Sequence, residues 1–131
     1  MRCAVWFSNY GLPDVSFNLP YEARSPVFSK RVKYSTNKDV LNEIYSILDE
    51  CKNTKYKVGQ SLFFQMPFFC DPSQFISDWC WDMISDYHMV KKFHIPLARD
   101  LQSANPWELD CFAIIEDEIN QISFYEREKN G

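Results

Sequence analysis

The residues best suited to chemistry lie between positions 70 and 94. This stretch contains two cysteines and both histidines of the chain, namely Cys70, Cys80, His88 and His94. Thiolates and imidazoles are preferred zinc ligands, but the intervals between these residues match none of the common short-spaced ligand pairs. On one straight helix, Cys80 and His88 would lie about 12 Å apart along the axis and about 80° apart around it, so they could not share an ion. The sequence therefore predicts no metal site and no cofactor.

A thiol nucleophile is the second chemistry that this stretch could support. Such a group needs a base within hydrogen-bond reach and backbone donors that stabilise an oxyanion. No catalytic signature surrounds any of the five cysteines, and only three glycines are present to form donor turns. Cys80 falls among apolar residues at helical spacing, which predicts a buried thiol. We predict no catalytic residue; the alternative is an enzyme with a thiol or carboxylate site assembled from distant positions.

Carboxylates form two clusters in the second half of the chain. Three are adjacent: Glu116, Asp117 and Glu118. Three more recur at every fourth position: Asp78, Asp82 and Asp86. Adjacent side chains diverge around a helix, whereas the every-fourth set forms a ridge of like charge with steps of about 6 Å. Such a ridge is unfavourable unless it faces solvent or a cationic partner.

A helical wheel for residues 72–90 indicates binding rather than catalysis. Its apolar positions fall within one half-circle, as in a helix that packs one face on a core. They are Phe75, Ile76, Trp79, Cys80, Met83, Ile84 and Tyr87. Trp81 lies on the opposite side with Asp82 and His88, and a tryptophan flanked by charges is typical of the energetic centres of protein interfaces. Either Trp81 is exposed and binds a partner, or the N-terminal strands or the loop 93–104 cover it as part of the core.

We therefore predict an acidic partner-binding surface centred on one indole. Its members come from the two carboxylate clusters and from the polar side of the helix. They are Trp81, Asp78, Asp82, Asp86, His88, Glu116, Asp117 and Glu118. A surface of this charge complements a basic protein.

Three helices are predicted to position these residues, over 37–51, 72–90 and 106–126. Each begins with a capping signal that is followed by apolar residues at helical spacing. The signals are Thr36 with Asp39, Asp71 with Pro72, and Asn105 with Pro106. The third helix has a second apolar stripe, so it is either sandwiched inside the domain or shared with another chain, a second copy included. That stripe consists of Trp107, Ile114 and Tyr125.

The N-terminal half has the composition of β-strands. β-Branched and aromatic residues are concentrated in four segments: 2–8, 15–19, 26–35 and 57–66. Strands followed by helices predict an α+β fold, in which a small, mainly antiparallel sheet of three to four strands packs with the three helices. The length fits a single domain over residues 1–131.

Composition restricts the compartment and the class of partner. Five scattered cysteines fit reduced thiols and a cytoplasmic location better than a disulfide framework, and we recognise no signal peptide or membrane-spanning run. The overall net charge is −4. Residues 1–70 carry nine basic and six acidic side chains, a net +3, whereas 71–131 carry five and twelve, a net −7. The acidic half disfavours nucleic acid and favours a basic protein. Without a membrane-spanning run, we expect no membrane partner.

The sequence thus predicts a small acidic intracellular protein that acts by binding and is not an enzyme. It would be an adaptor or inhibitor that neutralises a toxin, inhibits an enzyme by charge mimicry or assists assembly. The alternative is a nucleic-acid-binding module, whose basic residues surround stacking aromatics on the sheet. Its candidate residues are Lys30, Arg31, Lys33, Lys38, Lys52, Lys55 and Lys57 with Phe28, Tyr34 and Tyr56.

Overall fold

The computed structural model describes residues 1–52 and 57–130. Within them the chain forms five α-helices: α1 (Arg2–Tyr10), α2 (Asn37–Lys52), α3 (Val58–Gln65), α4 (Asp78–Phe93) and α5 (Pro106–Asn130). The sheet of this described part is a hairpin of two antiparallel strands, β1 (Tyr21–Arg24) and β2 (Arg31–Tyr34). Short 3₁₀ turns at Met66–Phe68 and Pro72–Gln74 connect α3 to α4. The fold is mixed α+β, but the predicted sheet of three to four strands with three helices is wrong.

The segment 2–8, predicted as a strand, is the central helix α1. Five consecutive side chains of α1 are buried: Cys3, Ala4, Val5, Trp6 and Phe7. Five residues cover more than one helical turn, so protein surrounds this part of the helix on every side. A short continuous apolar run fits a buried strand and a buried helix equally well, because its period cannot distinguish them. In this fold α3, α4 and α5 all pack on α1, which is the environment of a buried helix.

Residues 57–66, also predicted as a strand, contain α3. Their aromatic and β-branched content is compatible with a strand as much as with a buried helix. In the structure, the Phe63 ring lies 5.5 Å from the Trp6 ring and 5.0 Å from the Phe7 ring, measured between centroids. Packing against α1 thus determines the structure of this segment, and local composition does not.

The described β-structure is confined to one hairpin. Of the predicted segment 26–35, Arg31–Tyr34 forms β2 and the residues before it form the turn. Residues 15–19, predicted as a strand, have no regular secondary structure. β1 has the sequence YEAR, which carries no strand signal, and it is a strand because its backbone pairs with β2.

The capping signals of α2 and α5 are confirmed. The Asp39 carboxylate accepts a hydrogen bond from the N–H of Thr36 at 3.1 Å, and the Thr36 hydroxyl accepts one from the N–H of Asp39 at 3.4 Å. Asn105 Oδ1 accepts a hydrogen bond from the N–H of Trp107 at 2.9 Å. Both helices therefore begin where the sequence predicts.

The predicted helix 72–90 is instead a 3₁₀ turn followed by α4. Asp71 caps the turn, because its Oδ1 accepts hydrogen bonds from the backbone N–H and the hydroxyl of Ser73 at 3.1 and 2.8 Å. The backbone of Ser77 is extended, with φ −68° and ψ 145°, and α4 begins at the next residue. The signal at Asp71 is genuine, but it starts a short turn.

Helix α5 runs parallel to both α1 and α4. Contacts between α1 and α5 join Arg2 to Glu118, Trp6 to Tyr125, and Tyr10 to Glu126. Contacts between α4 and α5 join Trp79 to Trp107, Tyr87 to Phe112, and Lys91 to Glu116. Residue numbers rise together in both sets, so each pair of helices is parallel. The loop 94–105 returns the chain along the length of this pair.

A buried carboxylate joins α1 to α5. Glu118 is 2% exposed. Its Oε2 lies 2.6 Å from Arg2 Nη1, and its Oε1 accepts a hydrogen bond from the indole N–H of Trp6 at 3.1 Å. A charge is tolerated in the interior when it is both paired and hydrogen-bonded, and Glu118 meets both conditions. The hydrogen bond to Glu118 raises the pKa of Arg2 above its usual value, so the guanidinium stays charged.

Gly59 of α3 provides the space for this carboxylate. A Cβ atom at position 59 would overlap Glu118 Oε1 and would lie 3.1 Å from the carbonyl oxygen of Arg2. Glycine inside a helix is less favourable than alanine by about 1 kcal/mol, so local preference does not explain it. The glycine is explained by the close approach of α1, α3 and α5 at this point.

A second buried carboxylate, Glu43 of α2, holds the hairpin. Glu43 is 5% exposed and accepts a hydrogen bond from the Ser25 hydroxyl. The same Ser25 oxygen accepts a hydrogen bond from the N–H of Phe28 at 3.0 Å, which fixes the turn. At the open end of the hairpin, the Tyr21 hydroxyl donates to the carbonyl of Phe69 at 2.6 Å. The hairpin is thus attached to α2 at its turn and to the segment between α3 and α4 at its open end.

Neutralising the buried carboxylate should reduce stability more than neutralising its exposed neighbour. Glu118→Gln removes the charge that pairs with Arg2 and keeps the side-chain shape, so we expect the free energy of unfolding to fall by about 2 kcal/mol. Asp117→Asn is the matched control, because Asp117 is 55% exposed and its ion pair with Arg2 should contribute less than about 1 kcal/mol. Urea unfolding followed by circular dichroism measures both losses. Equal losses would contradict the role assigned to Glu118.

Candidate functional site

The two tryptophans of α4 differ in burial from the predicted arrangement. Trp79, placed on the apolar side by the wheel, is 44% exposed. Trp81, placed on the polar side, is partly buried and packs against the core. The buried residues of α4 are Cys80, Met83, Ile84 and Tyr87.

The position at which α4 begins explains why the helical wheel placed the two tryptophans on opposite sides; it does not decide which of them is buried. Viewed down the axis of α4, the centre of the buried face lies close to the direction of Cys80. Trp79 lies roughly 90° from this centre on one side, and Trp81 lies roughly 110° from it on the other. The two indoles therefore flank the buried face almost symmetrically. On the predicted helix 72–90, Phe75 and Ile76 move the centre of the apolar face towards Trp79. In the structure both residues precede α4, so they do not belong to its apolar face.

Trp79 pairs with Trp107 of α5 to form an exposed double indole. The two ring centroids lie 5.3 Å apart, and the ring planes meet at 52°. Trp107 is 52% exposed, so each residue of the pair keeps about half of its surface in solvent. Exposing two adjacent tryptophans is unfavourable in water, and tryptophan is enriched at the residues that contribute most to protein binding.

Three exposed carboxylates accompany the pair. Asp78 precedes Trp79, Asp82 lies one turn after Trp79 on the same side of α4, and Asp110 lies one turn after Trp107 on α5. These carboxylates set a negative potential around the two rings. We refer to Trp79, Trp107, Asp78, Asp82 and Asp110 as the indole patch.

An apolar groove adjoins the patch at Trp79. Its volume is about 250 Å³. The residues that line it include Leu41, Ile44, Leu62, Met66, Phe75 and Trp79. Small-molecule sites usually occupy about 300 to 1,000 Å³, so this space suits an inserted side chain better than a cofactor. We refer to it as the apolar groove.

The structure separates the residues predicted to form one binding surface. Asp78, Asp82, Asp86 and His88 are exposed on α4. Glu116 pairs with Lys91 at 3.6 Å and Asp117 pairs with Arg2 at 2.9 Å. Glu118 is buried against α1. The adjacent carboxylates of α5 therefore contact other parts of the chain, whereas those of α4 face solvent.

Sequence reasoning missed Trp107 and Asp110 as members of the site. The second apolar stripe of α5 includes Trp107, but a stripe does not identify what covers it. A usable signal is the repeated spacing of tryptophan and aspartate, since Asp82 follows Trp79 by three positions and Asp110 follows Trp107 by three. On a helix this spacing places the carboxylate beside the ring.

The residues of the nucleic-acid alternative are only partly available. Tyr34 is 1% exposed, so it cannot stack on a base. Lys55 and Tyr56 lie outside the described residues. The exposed members on the hairpin are Phe28, Lys30, Arg31 and Lys33. They form a basic surface with one aromatic residue at its turn.

Burial determines the chemistry of the cysteines. All five are unpaired thiols. Burial, together with the charge of Asp71, raises the pKa of Cys70 to about 12. Burial also raises the pKa of Cys3 and of Cys111, so these thiols are protonated at neutral pH and are weak nucleophiles. Across residues 1–52 and 57–130, no group of three or more histidine, cysteine, aspartate or glutamate side chains is arranged to hold a metal ion.

Comparisons with known proteins assign no family to the chain. No protein-family model, curated protein or solved structure matches it significantly. In the described part of the chain, no helix combines the length and the apolar character needed to cross a membrane.

Alanine substitutions should distinguish the two tryptophans of α4. Trp81→Ala removes a ring that packs against the core, and we expect the free energy of unfolding to fall by about 3 kcal/mol. Trp79→Ala removes a ring that is 44% exposed, and the expected loss is about 1 kcal/mol, mainly from its contact with Trp107. Urea unfolding of both variants provides the comparison. A larger loss for Trp79→Ala would show that this ring is structural.

Proposed function

We propose that the protein acts by binding, as an adaptor or inhibitor that holds a basic protein surface against the indole patch. One observation carries the proposal: Trp79 and Trp107 contact each other while about half of each residue is exposed. Burying this pair under a partner would remove two large apolar surfaces from water, which is a strong source of binding energy.

The charge around the pair favours a basic partner. Neither residues 58–90 nor residues 100–126 contain a lysine or an arginine. The carboxylates of the patch therefore have no basic side chain close to them in the sequence. An arginine of the partner could lie over an indole and pair with an adjacent carboxylate at the same time. Attraction between the two surfaces would accelerate association and make it sensitive to salt.

We place this activity in the cytoplasm. The five cysteines are unpaired, and Cys3, Cys70, Cys80 and Cys111 are buried. Unpaired thiols in this number are typical of proteins that work in a reducing compartment.

A capture experiment tests the proposed function. The tagged protein and its Trp107→Ala variant are incubated with a lysate of the cells that produce the protein, and retained proteins are quantified by mass spectrometry. We expect proteins with basic surfaces to be retained at low salt and to fall at least about tenfold with the variant, because an interface tryptophan is a common anchor. Raising the salt should release them as well.

Phe124→Ala is the matched control for this experiment. Phe124 is 53% exposed on the same helix, and it lies about 25 Å along the axis from Trp107. This variant should retain the same proteins as the unaltered chain. If Trp107→Ala also retains them, or if the retained molecules lack a basic surface, the proposed function is wrong.

A further inference from the structure

We infer that the indole patch recognises the hairpin of a second copy of this chain. The inference rests on the proposed function and names its partner. In the contact, Phe28 of one copy enters the apolar groove beside Trp79 of the next, and the basic residues of that hairpin meet Asp78 and Asp82.

The hairpin turn presents one large apolar side chain to solvent. Phe28 is 59% exposed. Its N–H donates to Ser25 Oγ at 3.0 Å, and the N–H of Ser29 donates to the Ser25 carbonyl at 2.8 Å. Ser25 is itself hydrogen-bonded to the buried Glu43. Because the turn is already held in one conformation, little conformational entropy is lost when the Phe28 ring is bound.

The outer face of the hairpin is basic. Arg24 and Arg31 are exposed at directly opposite positions of β1 and β2. Like charges at such positions destabilise a sheet, and carboxylates from another molecule would relieve the repulsion. Lys30 and Lys33 extend the positive surface, and Glu22, which lies 3.8 Å from Arg31, offsets part of it.

The patch and the groove complement this hairpin in charge and in size. Three carboxylates accompany the indoles, and the groove volume of about 250 Å³ suits an inserted side chain. The hairpin contacts Glu43 of α2 and the carbonyl of Phe69, whereas the patch lies on α4 and α5. The groove also uses α2, but through Leu41 and Ile44, which lie about 160° and 100° around that helix from Glu43. One copy can therefore use both surfaces with different neighbours. Such a contact joins unlike surfaces, so it builds a closed ring when the rotation between copies closes, two copies with reciprocal contacts included, and an open row when it does not.

Measurement of mass in solution tests the inference. Light scattering after gel filtration should show a mass that rises between about 5 and 200 µM at low ionic strength and falls towards the monomer in about 0.5 M salt. Phe28→Ser alters the hairpin surface, and Trp107→Ser alters the patch. Each variant alone should be monomeric, with an association constant at least about tenfold lower than that of the unaltered chain. Arg24→Glu with Arg31→Glu provides a second hairpin variant, and circular dichroism verifies that each variant is folded.

Mixing the two kinds of variant gives the most specific result. Phe28→Ser retains an intact patch and Trp107→Ser retains an intact hairpin, so an equimolar mixture should form a dimer of one copy of each and nothing larger. Phe124→Ser is the control and should associate like the unaltered chain, because Phe124 is 53% exposed but belongs to neither surface. If both kinds of variant associate normally, or if only the patch variants fail to associate, the hairpin is not the partner.

Failure of this inference is distinguishable from failure of the proposed function. A chain that stays monomeric up to about 200 µM refutes recognition of a second copy. If that monomer still captures a basic protein through Trp107, the proposed function stands with a different partner. If it captures none, both are wrong.

Discussion

The ion pair and hydrogen bond of Glu118 determine how the helices of this protein are arranged. One carboxylate in the interior binds Arg2 and Trp6 of α1 and requires a glycine at position 59 of α3. These contacts fix the side of α5 that faces the bundle, because a buried charge without partners would be unfavourable by several kcal/mol. The same contacts hold the buried part of α1, Cys3 to Phe7, against α5.

The rotation of α5 that buries Glu118 also positions the indole patch. Trp107 precedes Glu118 by eleven residues, or about three turns, so both lie on nearly the same side of α5 about 16 Å apart. Where Glu118 meets α1, Trp107 meets Trp79 at the beginning of α4. The patch is therefore a consequence of how α4 and α5 meet. The carboxylates that pair within the chain, those of residues 116–118, are not the carboxylates that surround the indoles.

The sequence was sufficient for features that depend on local interactions. Thr36 and Asn105 cap helices with groups only a few residues away, and both starts were predictable. The conformation of residues 2–8 was not, because an apolar run becomes a helix or a strand according to what packs around it. The same limit applies to Glu118, since three adjacent carboxylates look alike in sequence, and the buried one is bound by Arg2 and Trp6 from 116 and 112 positions away. Two tryptophans that flank a buried face nearly symmetrically are likewise distinguished only by their neighbours.

A double-mutant cycle between Arg2 and Glu118 tests the central claim most directly. Arg2→Met removes the charge and keeps an apolar stem, Glu118→Gln removes the opposite charge, and the free energies of unfolding of both single variants and the double variant give their coupling. We predict a coupling energy of about 1 to 2 kcal/mol, because Arg2→Met leaves the buried Glu118 charge without its cation, and this loss disappears once Glu118→Gln has removed that charge. Losses that add to within about 0.5 kcal/mol would show that this pair does not hold α1 against α5.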